Sequence, residues 1–216
     1  MLNEGGRPCI VATRSAGKVR ELLPLLLQHG WQPMTLADAG IPFHADEDTL
    51  EVFAQFEENA LAKAQYFAAR TTLPVFADDS GLCVEALDAG PGVRSKRWSG
   101  RDDLEGQALD DANNALLLSE LARRGALTPE RRRASYVCAA VCVSSTGVSV
   151  VARGETAGHL LLSPSGSQGF GYDPLFFSDE LGVTFASVST SEKAVVSHRG
   201  RAFTALLLLM SSTSST

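Results

Sequence analysis

"PCIVATRSAGK", Pro8–Lys18, sets the first expectation about the fold. Its apolar part, Pro8–Ala12, has the length and content of a buried strand, and it breaks into the polar "TRSAGK" just before a leucine-rich stretch. Strand, loop and helix in that order suit an α/β domain. From Val19 the apolar positions Val19, Leu22, Leu23 and Leu26 recur at helical spacing. Pro24 lies among them and would cost a helix interior about 3 kcal/mol, so the helix is expected to kink there or to begin late.

Further along, Thr49–Arg70 contains neither Gly nor Pro and is rich in Ala, Glu and Leu, a composition that favours one long helix. Pro74–Ala77 reads as a short strand ending abruptly in "DDSG", and near-alternating "LCVEAL" follows. Gly90, Pro91 and Gly92 mark a loop, and Asp102–Arg123 returns to helical composition. Ala134–Val143 and Val148–Ala152 look like two strands joined at the turn-forming Ser144–Gly147, which could pair as a hairpin. A Gly-rich segment then precedes a last amphipathic helix from about Ser191 to Met210, expected to be interrupted near Gly200. No internal repeat appears and no linker is long enough to force separate domains. The expectation is one α/β domain over residues 1–210, followed by a frayed polar tail, Ser211–Thr216.

The chain of 216 residues is long enough to bury a real core, and its 44% hydrophobic and 20% charged content is ordinary globular usage. A net charge of -6 argues against a broad phosphate-neutralising surface for DNA or RNA, while leaving room for a local basic pocket and a small anionic ligand. The four cysteines, Cys9, Cys83, Cys138 and Cys142, sit in apolar segments without the CxxC pairing of zinc or redox sites, which suggests buried thiols in a reducing compartment. No signal peptide is evident, and no apolar run approaches the roughly 18 residues that span a bilayer. The expected setting is the cytoplasm, with no membrane partner.

Three polar clusters carry chemistry. The first is Thr13–Lys18, placed between a strand and a helix where backbone N–H groups lack partners and the helix dipole favours an anion. Lys18 adds a point charge, and Thr13 and Ser15 add hydroxyl donors. The full P-loop pattern is absent, so an ordinary capped turn is the competing view. In the second, "ADDSGLCVEAL", Asp78 and Asp79 end an apolar strand. Adjacent strand residues face opposite sides, so only one of the two can point into a given site, where it could hold magnesium or polarise water. A turn that caps the next element would use the same residues. The third combines "GFGYDP", Gly169–Pro174, with "SEKAVVSHRG", Ser191–Gly200. Phe170 and Tyr172 offer flat faces for a base, Asp173 offers an acceptor, and Lys193, His198 and Arg199 offer donors. Taken singly, Phe170 suits a core position and His198 a structural one.

"IVATRSAGKVREL", "FEENALAKA", "FADDSGLCVEAL", "GPGVRSKRWSG", "GFGYDPLFF" and "SEKAVVSHRG", in this order and spanning nearly the whole chain, resemble the inosine triphosphate pyrophosphatase family. The resemblance implies an elongated α/β fold with a central twisted mixed sheet flanked by helices, two lobes around a substrate cleft, and assembly as a homodimer. It implies hydrolysis of non-standard purine nucleoside triphosphates such as ITP, dITP and XTP to the monophosphate and pyrophosphate, with Mg2+ as cofactor, cleansing the nucleotide pool. By the same resemblance Thr13, Arg14, Ser15, Ala16, Gly17 and Lys18 would hold the triphosphate, with Lys63 reaching the phosphates. Asp79 would be proton acceptor and metal ligand, and Ser80 would touch substrate. Phe170, Gly171, Tyr172, Asp173, Lys193, His198 and Arg199 would surround the base and sugar. Glu51 is the best positional match for a second metal ligand, with Glu47 and Asp48 as rivals.

One departure concerns the phosphate loop, where the family's usual Thr-Gly-Asn is Thr13-Arg14-Ser15. Restoring Gly and Asn is expected to preserve or raise kcat/KM, because glycine lets the backbone approach phosphate closely. Two other readings stay open at this point, a related pyrophosphatase that prefers modified pyrimidine nucleotides and an inactive nucleotide-binding module.

Overall fold

A computed structural model describes residues 6–213 of the chain. Its strands are β1 (Arg7–Val11), β2 (Trp31–Thr35), β3 (Val75–Val84), β4 (Arg133–Val143), β5 (Ser149–Leu160) and β6 (Phe176–Ser178). Its α-helices are α1 (Ala16–Gln28), α2 (Phe56–Ala68), α3 (Gly106–Arg123), α4 (Thr190–Val196) and α5 (His198–Thr213). The strands form one mixed sheet in the order β2-β1-β3-β4-β5-β6, with β1 parallel to both β2 and β3, and β5 antiparallel to β6. Pro33 cannot donate to a ladder, and it sits on the edge strand β2, where that loss is tolerated. β4 is buried along almost its whole length, as a strand covered on both faces must be, whereas β5 alternates buried and exposed.

The chain divides into two compact units, and β3, β4 and β5 contribute residues to both. The first unit holds the chain up to Asp79, Cys138–Gly154 and the segment from Arg199 on. Its core gathers Cys9, Val11, Leu22, Leu26, Trp31, Phe76, Phe203 and Leu206. The second holds Ser80–Val137 and Glu155–His198, around Leu82, Val84, Leu117, Leu121, Tyr136, Phe176 and Phe185. Each fully buried Leu or Phe contributes about 1.5–3 kcal/mol relative to exposure.

Several expectations are corrected. α1 starts at Ala16 and carries Pro24 inside it, so the helix does not begin late. Pro24 is exposed, so the carbonyl that loses its helical partner can turn to water. Helix α2 begins only at Phe56, because Asn59 accepts from Phe53 N at 2.9 Å and donates to Phe53 O at 3.2 Å, folding the preceding chain across the helix start. "DDSG" does not end a strand: β3 continues through it for ten residues. Gly81 is required there, since a Cβ would stand 2.1 Å from Gly92 O. The C-terminal helix breaks at Ser197 and not at Gly200. The Val196 carbonyl accepts from Thr156 Oγ1 at 2.6 Å, which ends α4 there. The expected tail is helical through Thr213, and residues 214–216 lie outside the described residues. All four cysteines are free, three of them buried. Among the described residues no helix is long and apolar enough to cross a membrane.

Candidate active site

In the first unit the turn between β1 and α1 is organised by its own hydroxyls. Thr13 Oγ1 accepts from Ser15 N at 3.2 Å, and Ser15, the N-cap of α1, accepts from Lys18 N at 3.4 Å. Ala16 and Gly17 open the helix, so their backbone donors lie in its first turn, where an anion is favoured. Arg14 does not stand over this turn as an uncommitted cation. Its guanidinium grips Glu47 through Nε at 3.0 Å and Nη2 at 2.8 Å, and it also donates to the carbonyls of Ile41 and Pro42.

The two strand aspartates divide their work as opposite faces require. Asp78 is fully buried. Its Oδ2 meets Lys18 Nζ at 3.1 Å and Arg199 Nε at 3.1 Å, and Arg199 also pairs with Glu21. Burial alone would raise the Asp78 pKa, but Lys18, Arg199 and Lys63 outweigh it and hold the carboxyl far below the usual range. Asp79 accepts from Asn59 Nδ2 at 2.9 Å. Burial, helped by the nearby Glu51 charge, pushes its pKa up against the pull of Lys18 and Lys63.

Glu51 is half-buried and ion-paired with Lys63. Burial opposes its ionisation, yet Lys63 and Lys18 draw its pKa down to about 2. Of the rival acids, Glu47 is held by Arg14, and Asp48 lies in an exposed 3₁₀ turn, Ala45–Thr49. Lys18, Lys63 and Arg199 thus lie in one charge group with Glu21, Glu51, Asp78 and Asp79. Among the described residues no three acidic, His or Cys side chains form a ready-made metal cage. Asp79 and Glu51, coupled electrostatically in this charge group, still fit a hard divalent cation, which commonly takes one or two carboxylates and completes its shell with water and substrate phosphates.

In the second unit Asp173 organises the "GFGYDP" loop. Its Oδ2 accepts from Phe170 N at 2.9 Å and from Lys193 Nζ, and a Cβ on Gly169, whose φ is +77°, would lie 2.0 Å from that oxygen. Lys193 also lies 5.2 Å from the Phe170 ring centre and 5.1 Å from that of Phe185. Tyr172 is buried, with its hydroxyl donating to Ser95 O at 2.8 Å, so this ring belongs to the core. His198 stacks on Tyr136 with ring centres 4.5 Å apart. Arg199, grouped with the base by the sequence reading, is placed by the structure in the first unit's charge network, and Ser80 follows Asp79 on β3 as the first residue of the second unit.

Four residues escaped the sequence reading. Glu21 and Asn59 act in the first unit as described. In the second, Asp110 accepts from Gly171 N at 2.7 Å and Asn114, one helical turn on, donates to Gly171 O at 3.0 Å. Both polar groups of Gly171 are thereby held by α3. An unsatisfied partner costs about 1–3 kcal/mol, so Asp110→Ala and Asn114→Ala are each expected to lower kcat/KM for dITP about tenfold through KM. Steady-state kinetics on both variants checks this, and unchanged KM values would remove α3 from the site.

A model of the Ham1 family matches residues 9–208. The chain belongs to the Ham1 family. It is 45% identical over 201 residues to the dITP/XTP pyrophosphatase of Frankia alni, covering 93% of this chain and 96% of that one. It is 47% identical over 203 residues to the protein of the same name from Mycolicibacterium paratuberculosis, covering 93% and 94%. Among solved Ham1 structures, the HAM1 protein of Coxiella burnetii superposes with a TM-score of 0.78 at 28% identity, covering 95% of this chain and 99% of that one. The dITP/XTP pyrophosphatase of Mycobacterium abscessus gives 0.68 at 40% identity, covering 94% and 99%. These Ham1 relatives agree with the mixed α/β fold and with the family resemblance in the sequence.

Proposed function

We propose that the protein hydrolyses non-standard purine nucleoside triphosphates, dITP, ITP or XTP, to the monophosphate and pyrophosphate. The observation that carries this is the division of labour along β3, where Asp78 is committed to Lys18 and Arg199 while Asp79, held by Asn59, lies among Glu51, Lys18 and Lys63. In this reading the turn Thr13–Lys18 receives the triphosphate, with N–H donors at the start of α1 and the Lys18 ammonium set against its charge. Lys63 offsets further negative charge. Asp79 orients a water for in-line attack at the α-phosphorus and accepts its proton. Mg2+, held by Asp79 and Glu51, would supply neutralisation of the phosphate oxygens and of the leaving pyrophosphate.

Phe170 provides a face for the base, while Lys193 and His198 provide donors beside it. Donors suit a 6-oxo purine and meet a mismatched amino group in adenine. The proposal includes the cytosolic setting read from the composition and the homodimer that the family resemblance implies.

A substrate panel tests the reading. With Mg2+ present, dITP or XTP is expected to exceed ATP in kcat/KM by roughly ten- to a hundredfold, since each unsatisfied donor costs about 1–3 kcal/mol. Products are to be separated by anion exchange. Orthophosphate with a nucleoside diphosphate would refute α–β cleavage, preference for a pyrimidine triphosphate would move the specificity, and no product at all would leave a binding module.

A further inference from the structure

We infer that Arg14 is a positioning residue, a fork that pins segment 41–47 to the phosphate turn and withdraws Glu47 from the metal-binding acids. The inference rests on reading residues 13–18 as the phosphate turn. Four of the five guanidinium N–H groups have acceptors within the first unit. Nε and Nη2 bind the two oxygens of Glu47, Nη1 binds Ile41 O at 3.1 Å, and Nη2 also reaches Pro42 O at 2.8 Å. The planar fork matches a carboxylate in two places at once, which a point charge cannot do. Glu47 is committed in return, since its Oε1 also accepts from His44 N at 3.1 Å, closing the 3₁₀ turn Ala45–Thr49. The guanidinium also faces the Phe67 ring of α2 at 5.9 Å.

One side chain therefore ties the turn before α1, the segment leading to Glu51, and α2, the helix that carries Lys63 and Asn59. This reverses the expectation from sequence that glycine at position 14 would help. Glycine would release the 41–47 segment and leave the Glu47 charge unmatched near an incoming triphosphate.

The test compares Arg14→Lys, Arg14→Ala, Glu47→Gln and the Arg14→Ala/Glu47→Gln double variant. In nucleotide-free, metal-free protein, amide hydrogen exchange over residues 41–50 is expected to rise at least about tenfold in every variant, as local opening becomes easier. With dITP, KM and the Mg2+ concentration for half activity are expected to rise about five- to twentyfold while kcat stays within about threefold, the double variant being no worse than the worse single one. Arg14→Lys is decisive because it keeps the charge and loses the fork. If Lys restores native kinetics while Ala alone is impaired, Arg14 is a phosphate ligand and the proposal is overturned. Unchanged exchange, or faster exchange with native KM and Mg2+ dependence, overturns it as well. If the native protein releases no pyrophosphate from any triphosphate, the proposed activity falls separately, and exchange, measured without nucleotide, still decides whether the fork holds the segment.

Discussion

Asp79→Asn is expected to lower kcat for dITP by about a hundred- to ten-thousandfold, the span that a positioned general base contributes. The amide has nearly the same shape, and its carbonyl oxygen can still accept from Asn59 Nδ2, which now lies 2.9 Å from the carboxylate, so folding should survive. What is lost is the proton acceptor and a charged metal ligand. Nucleotide binding should persist in part, because Lys18, Lys63 and the donors at the start of α1 are untouched. Single-turnover kinetics beside equilibrium nucleotide binding separates the two effects. A variant that turned over within a few-fold of the native rate would move the base to another residue.

Asp78→Asn is the second large effect, and it should register as stability. The family resemblance gives the proton-acceptor role to Asp79 and not to Asp78, which would make this change the milder one for turnover. The structure alters what is measured. Asp78 is fully buried, and Lys18 and Arg199 both rest on its Oδ2. Losing the carboxylate shared by two buried ion pairs costs up to about 3–5 kcal/mol, with Glu21 still paired to Arg199. Against a total stability of about 5–15 kcal/mol, that is a large fraction. Urea unfolding of Asp78→Asn should show a clearly lowered midpoint, whereas Asp79→Asn should stay close to the native curve. Equal midpoints for the two variants would show that the ion-pair cluster adds little to folding.

The contrast between these aspartates also shows how far sequence carries. Period-2 geometry is enough to say that Asp78 and Asp79 face opposite ways. It cannot say that Arg199 reaches Asp78, because that pair is separated by 121 positions and no local pattern announces it. The same limit explains Glu21, which lies in a leucine-rich helix and meets Arg199 across 178 positions. Local signals also misjudged boundaries wherever tertiary contacts took over backbone groups. Asn59 captures Phe53 and delays α2, and Thr156 takes the Val196 carbonyl and ends α4 before the glycine that looked like the breaker. The strand at Pro8–Ala12, the burial of Cys9, Cys138 and Cys142, though not of Cys83, and the hairpin turn at Ser144–Gly147 were readable because each depends on near neighbours. Asp110 and Asn114 had one usable signal, their i, i+4 spacing on a helix, but nothing in the sequence pointed that helix face at Gly171.

The Asp78–Arg199–Glu21 cluster bears on how the protein is made. A ribosome delivers Glu21, Lys18 and Asp78 long before it delivers Arg199, so until then Asp78 can pair with Lys18 but neither Asp78 nor Glu21 has the Arg199 guanidinium it meets in the finished fold. Docking of α5 supplies that charge together with Phe203 and Leu206 for the core. A product cut short before residue 199 would therefore keep most of its sequence motifs and still lack the ion pairs that Arg199 makes with Asp78 and Glu21.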